Sequence, residues 1–381
     1  MRQGLTGVPI FDGFVWHKDA VLWIENGHVV AIEPATGLSD ADEIIQLKRG
    51  FLCPGLVDLQ VNGGGGVLFN SAPTLATIER ICAAHNSLGT TSILPTLITD
   101  DIAVLDAALI AAKAATALPS CAGLHLEGPH LALSRKGTHE GSFIRAMTPA
   151  DKQKLLSAAK TLPVLKVTLA PESVELADVA ELCAAGLHIS LGHSDTSYET
   201  AMAYAAAGAS LVTHLFNAMS QFGSREPGLV GAALNNEALS VGLIADGFHV
   251  DPATIKVALR GKRGPGKIFL VSDAMSTVGS DIRSFVLNGR TITRHGSRLT
   301  LDDGTLAGAD ISLLDAVKYM HQTVGISLEQ ALQMGSLFPA QAIKQSHIGQ
   351  LTDAAAANII HLSDDLTLFR TWVNGETVHT A

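Results

Sequence analysis

The sequence predicts an α/β protein: a (β/α)8 TIM-like barrel carrying a small β domain built from both chain ends. Three observations carry that expectation. Between residues 54 and 345, short apolar runs alternate with alanine-rich segments, the pattern of βα units on a parallel sheet. Eight such runs can be counted, the number that closes a barrel of about 250 residues. Asn-Gly hairpin signals stand at both ends of the chain, outside the alternation.

Taken in order, residues 20–34 (AVLWIENGHVVAIEP) alternate apolar and polar around Asn26-Gly27. At the other end RTWVNGETV places Asn374-Gly375 between two further strands. A lone hairpin is marginal in water, so the two ends are expected to share one small β-sheet. The chain then divides into 1–53 and 346–381, which form the small β domain, and a barrel of 54–345. The candidate barrel strands are 57–62, 91–95, 123–128, 166–172, 188–194, 211–217, 240–247 and 267–274. An open doubly wound sheet is the alternative. It is disfavoured because residues 63–66 are a plain glycine run without the spacing of a phosphate-binding fingerprint. A third Asn-Gly pair, Asn288-Gly289, follows the eighth strand and predicts a long hairpin over the barrel mouth.

Composition excludes several classes. Hydrophobic residues make up 47% and charged residues 16%, enough apolar surface for a large core and too much for a disordered chain. Lys plus Arg total 26 against 36 Asp plus Glu, a formal charge of −10 with no basic run, which argues against nucleic acid as a partner. The most apolar stretch, 102–118, is broken by Asp106 and Lys113 and reads as an amphipathic helix, so no membrane partner is expected. No signal-peptide pattern opens the chain, and a cytoplasmic protein is expected. Cys53, Cys82, Cys121 and Cys183 form no CxxC pair and are expected to be reduced and buried.

Polar residues gather where the strands end. The first strand closes on Asp58-Leu-Gln60-Val-Asn62 and the third on His125-Leu-Glu127. The fifth reaches His193, and the sixth carries His214-Leu-Phe-Asn217. The seventh runs into Asp246-Gly-Phe-His249 and the eighth into Ser-Asp273. One His or Asp at a strand end is usually just a satisfied polar group. Six strands of eight ending this way on the catalytic rim of a barrel point to an active site, because burying so many titratable groups is costly. Glu127, His193 and His214 offer one carboxylate and two imidazoles, a catalytic zinc-type set with an open position. Asp273 has no basic neighbour in sequence and suits a general base, then acid, for water activated by the metal. His139, in the loop after the third strand, suits a donor to a developing oxyanion. His125 and His188, inside strands, are expected to be structural, and His17, His28, His295, His347, His361 and His379 to lie on the surface.

The chain resembles the N-acetylglucosamine-6-phosphate deacetylases, a family of the amidohydrolase superfamily. The resemblance runs over nearly the whole length. It rests on Pro54-Gly-Leu-Val-Asp-Leu-Gln60, Leu124-His-Leu-Glu127-Gly-Pro and Lys136-Gly-Thr-His139. It continues through Gly192-His193-Ser, Thr213-His214-Leu-Phe-Asn217-Ala218-Met and Arg225-Glu-Pro-Gly, then Ala245-Asp-Gly-Phe-His249, Ser272-Asp273-Ala-Met and Leu306-Ala307-Gly308. It implies a (β/α)8 barrel with a small β-sandwich, and hydrolysis of the acetamide of N-acetyl-D-glucosamine 6-phosphate. Glu127, His193 and His214 match metal ligands, Asp273 the catalytic carboxylate, and His139 the group that polarises the acetyl carbonyl. Thr138, Asn217, Ala218, Arg225, Asp246, His249, Leu306, Ala307 and Gly308 fall at substrate positions. The arginine is implied to reach the neighbouring subunit's site, hence a homodimer.

Many members of the superfamily bind a second ion through His-x-His at the end of the first strand. Here that place reads Gln60-Val-Asn62, and amides are poor ligands beside imidazole and carboxylate. One divalent ion per subunit is therefore expected, zinc first, with Fe, Co or Mn also compatible. Nor do the barrel strands show an obvious bridging lysine. The alternative specificity is N-acetylgalactosamine 6-phosphate, which differs at C4; no single residue reads that hydroxyl. A non-catalytic sugar-phosphate sensor is disfavoured because binding alone needs no general base.

Overall fold

The computed structural model describes residues 2–36 and 43–381. Eight parallel strands form the central sheet: β1 (Leu56–Val61), β2 (Thr90–Ile98), β3 (Leu124–Glu127), β4 (Leu165–Leu169), β5 (His188–Leu191), β6 (Leu211–Val212), β7 (Ser240–Leu243) and β8 (Ile268–Leu270). Each pairs with its sequence neighbour. The ring closes between β8 and β1: Asp273 N–H donates to Gln60 O at 3.0 Å and Asn62 N–H to Ala274 O at 2.9 Å. Below that seam the Asp58 carboxylate accepts the N–H of Ser272 at 3.2 Å and of Gln60 at 3.1 Å. Burial pushes the Asp58 carboxyl up to about 7 against those hydrogen bonds.

Helices α1 (Leu75–Asn86), α2 (Ile102–Ala114), α3 (Pro149–Ala159), α4 (Leu176–Ala184), α5 (Tyr198–Ala206), α6 (Gly228–Asn235), α7 (Pro252–Gly261) and α8 (Leu313–Tyr319) follow the strands in turn. Their starts are written locally. Thr74, Asp101, Ser197, Asp251 and Ser312 cap their helices with side-chain oxygens, and Thr148 forms a capping box with Asp151. The apolar stretch at 102–118 is α2 with a short 3-10 extension. No described helix is long and apolar enough to cross a membrane.

The chain ends form two sheets, the β-sandwich that the resemblance implies, where the hairpin signals alone suggested one sheet. Residues Arg2–Thr6, Ala20–Glu25, His28–Pro34 and Glu43–Gln46 make a four-stranded sheet. Ile10–Phe11, Trp16–His17, Phe51–Pro54, Ile359–Leu362, Leu368–Val373 and Glu376–Thr380 make a six-stranded one. A hairpin has two faces and needs a partner layer for its apolar side. Leu5, Leu22 and Ile24 from the first sheet meet Ile10, Leu52, Ile359 and Trp372 in one buried cluster. The two Asn-Gly turns thus belong to different sheets. They meet through Ala357, whose N–H donates to Gly27 O and whose O accepts from Gly375 N–H, both at 2.9 Å.

Several sequence expectations shift. Strands β4, β5, β6, β7 and β8 end three to five residues earlier than their apolar runs. His193, His214 and Asp273 leave the ladder with φ of +47°, +27° and +52°, a region non-glycine residues rarely enter. The glycine run at 63–66 is a tight hairpin, with Gly65 and Gly66 at φ +59° and +86°. His361 is buried and donates to Arg49 O, so it is not a surface residue. Cys183 is half-buried, while Cys53, Cys82 and Cys121 are buried, and all four are free.

Candidate active site

The strand ends surround a cavity of about 280 Å³. Asn62, Glu127, Thr138, His139, His193, His214, Asn217, Ala218, His249, Asp273, Leu306 and Gly308 all line it. Four other expected residues stand outside its wall. Gln60 lies beneath, fully buried. Ala307 is buried behind Leu306. Asp246 sits behind His249, accepting from its Nδ1 at 2.6 Å and from the N–H of Phe248 and His249 at 2.8 Å. Arg225 is exposed in the loop before α6 and makes no ion pair among the described residues.

Three atoms converge at one point. Glu127 Oε1, His193 Nε2 and His214 Nε2 lie 3.0–3.3 Å from one another. Ligands about 2.0–2.1 Å from a tetrahedral ion stand about 3.3 Å apart, so the spacing suits a single ion. His193 Nδ1–H donates to Arg135 O at 2.8 Å, which leaves Nε2 bare as a ligand atom. His214 Nδ1 has no protein partner. Burial raises the Glu127 carboxyl, but the two imidazoles against it prevail and hold it well below the carboxylate range. His139 also brings a ring nitrogen within 4.8 Å of ligand atoms of Glu127 and His193. It is the less suited third ligand: its Nε2 is 3.9 Å from Glu127 Oε2, and its Nδ1 is engaged by Thr99. Burial pulls His139 down to about 3, with His193 adding to the effect, so the ring is neutral.

The amides of β1 serve as donors. Gln60 Nε2 donates to Glu127 Oε1 and to Asp273 Oδ1, both at 3.1 Å, and Asn62 Nδ2 donates to Asp273 Oδ1 at 2.7 Å. A second ion at that end would need lone pairs where these N–H groups point. Burial, with the Glu127 charge nearby, raises the Asp273 carboxyl, against the pull of His214 and Asn62. A raised carboxylate is a better proton acceptor.

Several residues of the site carry no signal in the sequence. Ile98, Ile244 and Met275 supply apolar wall, and hydrophobic residues at strand ends look like ordinary core. The hairpin after β8 (Ser284–Leu287 with Arg290–His295) crosses the mouth. Arg290 donates to Thr138 O, and the Arg298 guanidinium lies 4.3 Å over the Phe248 ring. The strap thus touches the loops of both His139 and His249. The barrel also holds a lysine. Lys166 on β4 is 1% exposed, the one buried lysine or arginine among the described residues. Its Nζ crosses the barrel to donate to Leu59 O at 3.3 Å, beside Gln60. Burial lowers it to about 8, opposed by Glu127, Asp58 and Asp273.

A barrel with metal-type ligands and a carboxylate at its C-terminal rim defines a hydrolase of the amidohydrolase kind. The chain belongs to the amidohydrolase family, whose pattern matches residues 51–378. It is 40% identical over 338 residues to the N-acetylgalactosamine-6-phosphate deacetylase of Shewanella sp. (strain ANA-3), covering 88% of this chain and 85% of that one. It is 32% identical over 382 residues to the N-acetylglucosamine-6-phosphate deacetylase of Haemophilus influenzae, covering 99% of each. The crystal structure of N-acetylglucosamine-6-phosphate deacetylase from Pasteurella multocida superposes with a TM-score of 0.95 at 33% identity, covering 100% of both chains.

Proposed function

We propose that the protein hydrolyses the acetamide of N-acetyl-D-glucosamine 6-phosphate to glucosamine 6-phosphate and acetate. The observation that carries this is the convergence of Glu127, His193 and His214 beside Asp273 in one cavity, on a chain similar over its whole length to deacetylases of that substrate. A divalent ion held by the three ligands, zinc by preference, would supply a Lewis acid and make a bound water more acidic. Asp273, oriented by Asn62 and Gln60, takes the proton of the attacking water and returns it to the leaving amine. His139 donates to the acetyl oxygen. Thr138 and the 306–308 segment close around the sugar. His249, held by Asp246, faces Asn217 and Ala218 at the phosphate end. The C4 epimer, N-acetyl-D-galactosamine 6-phosphate, is a second reading, favoured by the 40% identity to the Shewanella enzyme. Initial rates on the two sugar phosphates, with and without chelator, test the assignment. Acetate release from neither overturns it, and faster release from the galacto sugar shifts it to the epimer. An enzyme of this kind would work in the cytoplasm.

The phosphate dianion needs a fixed cation, and among the described residues no lysine or arginine lines the cavity. Arg225 stands outside, three residues after Phe222 of an apolar groove that Phe216, Leu234 and Val257 also line, with Phe222 67% and Val257 64% exposed. Both features support a homodimer in which Arg225 of each subunit serves the other's site. Arg225→Ala is then expected to raise KM for the phosphorylated sugar roughly 30- to 150-fold, the loss of a charge-assisted bond of about 2–3 kcal/mol. The unphosphorylated sugar should scarcely respond. Mixing Arg225→Ala with Asp273→Asn chains should restore partial activity. No rescue despite proven subunit exchange would confine Arg225 to its own chain.

A further inference from the structure

The barrel is least regular where Asp273 stands. Neighbouring strands from β1 to β8 pair as parallel ladders, but the junction of β8 with β1 has a single bridge, Val61 with Ala274. Main-chain bonds close the upper part of that junction, from Asp273 N–H to Gln60 O and from Asn62 N–H to Ala274 O. One step down, the N–H groups of Gln60 and Ser272 go instead to a side chain, the Asp58 carboxylate. Gln60 N–H donates to Oδ1 at 3.1 Å, and Ser272 N–H lies 3.2 Å from both oxygens. Asp58, Gln60 and Ser272 are all fully buried. A carboxylate thus stands in for one rung of the ladder.

Burying a carboxylate where main-chain carbonyls would serve is costly. Lys166 offsets part of that cost: its Nζ reaches the same segment, 3.3 Å from Leu59 O, and is attracted by the Asp58 charge. What the carboxylate achieves is visible in its two donors. Ser272 immediately precedes Asp273, and Gln60 donates its side-chain Nε2 to Asp273 Oδ1 at 3.1 Å. Asp58 therefore holds the backbone of the residue before the base and the backbone of a residue that orients it. Asp273 itself leaves the strand at φ +52°, a conformation that its surroundings must impose. Asn62, the other donor to Asp273, is tied above through Ala274 O. Without acceptors at position 58, two buried N–H groups lose their partners and the Ser272–Asp273 link is free to shift.

We propose that Asp58 is a positioning residue: by replacing a rung of the β8–β1 ladder, its carboxylate fixes the backbone from which Asp273 projects and the residue whose amide orients it. This rests on the reading of Asp273 as the base of the proposed deacetylation. The test is a double-mutant cycle with Asp273→Asn, read together with metal content and crystal structures of the metal-loaded proteins. Asp58→Leu, similar in shape but without acceptors, is expected to lower kcat about 10- to 100-fold, the effect of a misplacement on the order of 1 Å. KM should change little and the metal should stay. Asp58→Asn keeps one acceptor oxygen and should lose less. In the Asp273→Asn background, Asp58→Leu should cost at most about two-fold, because its effect runs through a base already lost. In the crystal, Asp273 of the Asp58→Leu enzyme should have left φ +52° and its bonds to Gln60 and Asn62. An undisplaced Asp273, equal losses in both backgrounds, or loss of the metal along with kcat overturns the proposal. If Asp58→Leu does not fold, Asp58→Asn is carried through the same cycle and the same crystal comparison. Absence of acetate release by the wild type sinks the deacetylase reading alone, and the place of Asp273 in the variant crystal still decides the role of Asp58.

Discussion

Asp273→Asn is expected to lower kcat by about 10²–10⁴-fold with KM within a few-fold of the wild type. The substitution preserves shape and leaves an amide oxygen to accept from Asn62 and Gln60, which now hold Oδ1 at 2.7 and 3.1 Å. It removes the one property the site needs from this residue, a basic oxygen that takes a proton from water and returns it to the amine. Burial raises the carboxyl, which brings its basicity nearer to that of the groups it exchanges protons with. The residue also sits at φ +52° beside the β1–β8 seam, so Asn, the non-glycine residue most tolerant of that conformation, is the conservative replacement. Because the group acts on the reacting water and not on the bound sugar, the loss belongs to kcat. Steady-state kinetics with saturating metal measures it, and a variant with near-native kcat would exclude Asp273 as the base.

His193→Asn and His214→Asn are each expected to abolish stoichiometric metal binding and most activity while the barrel stays folded. The two imidazoles and Glu127 Oε1 are 3.0–3.3 Å apart, and neither β1 amide can replace a lost nitrogen, because both are spent as donors to carboxylates. The fold should survive, since the large buried clusters of the barrel lie among apolar residues below this layer. Elemental analysis after dialysis should give about one equivalent of divalent metal per wild-type chain and well under that in either variant, with unchanged far-UV circular dichroism. Full metal content in both variants would dismiss the ligand set. Two tightly held ions in the wild type would dismiss the single-ion site.

The parts of this protein that are legible in its sequence are those set by local chemistry. Period-2 and helical patterning mark the βα units, because each element must turn an apolar face to its neighbour whatever the fold. Asn26-Gly27 and Asn374-Gly375 announce hairpins because few other pairs accept two positive φ angles, and both turns form. The polar residues ending six strands betray a site because burying them has no other compensation. Tertiary structure alone decided the rest. The two end hairpins enter different sheets because each has a second face to cover, and a turn motif says nothing about which layer covers it. The strands stop early at His193, His214 and Asp273 because the aim of those side chains, not their hydropathy, sets the backbone there. Lys166 is invisible in the sequence because its partner Leu59 lies 107 positions away on another strand, and only barrel closure brings a buried ammonium against it.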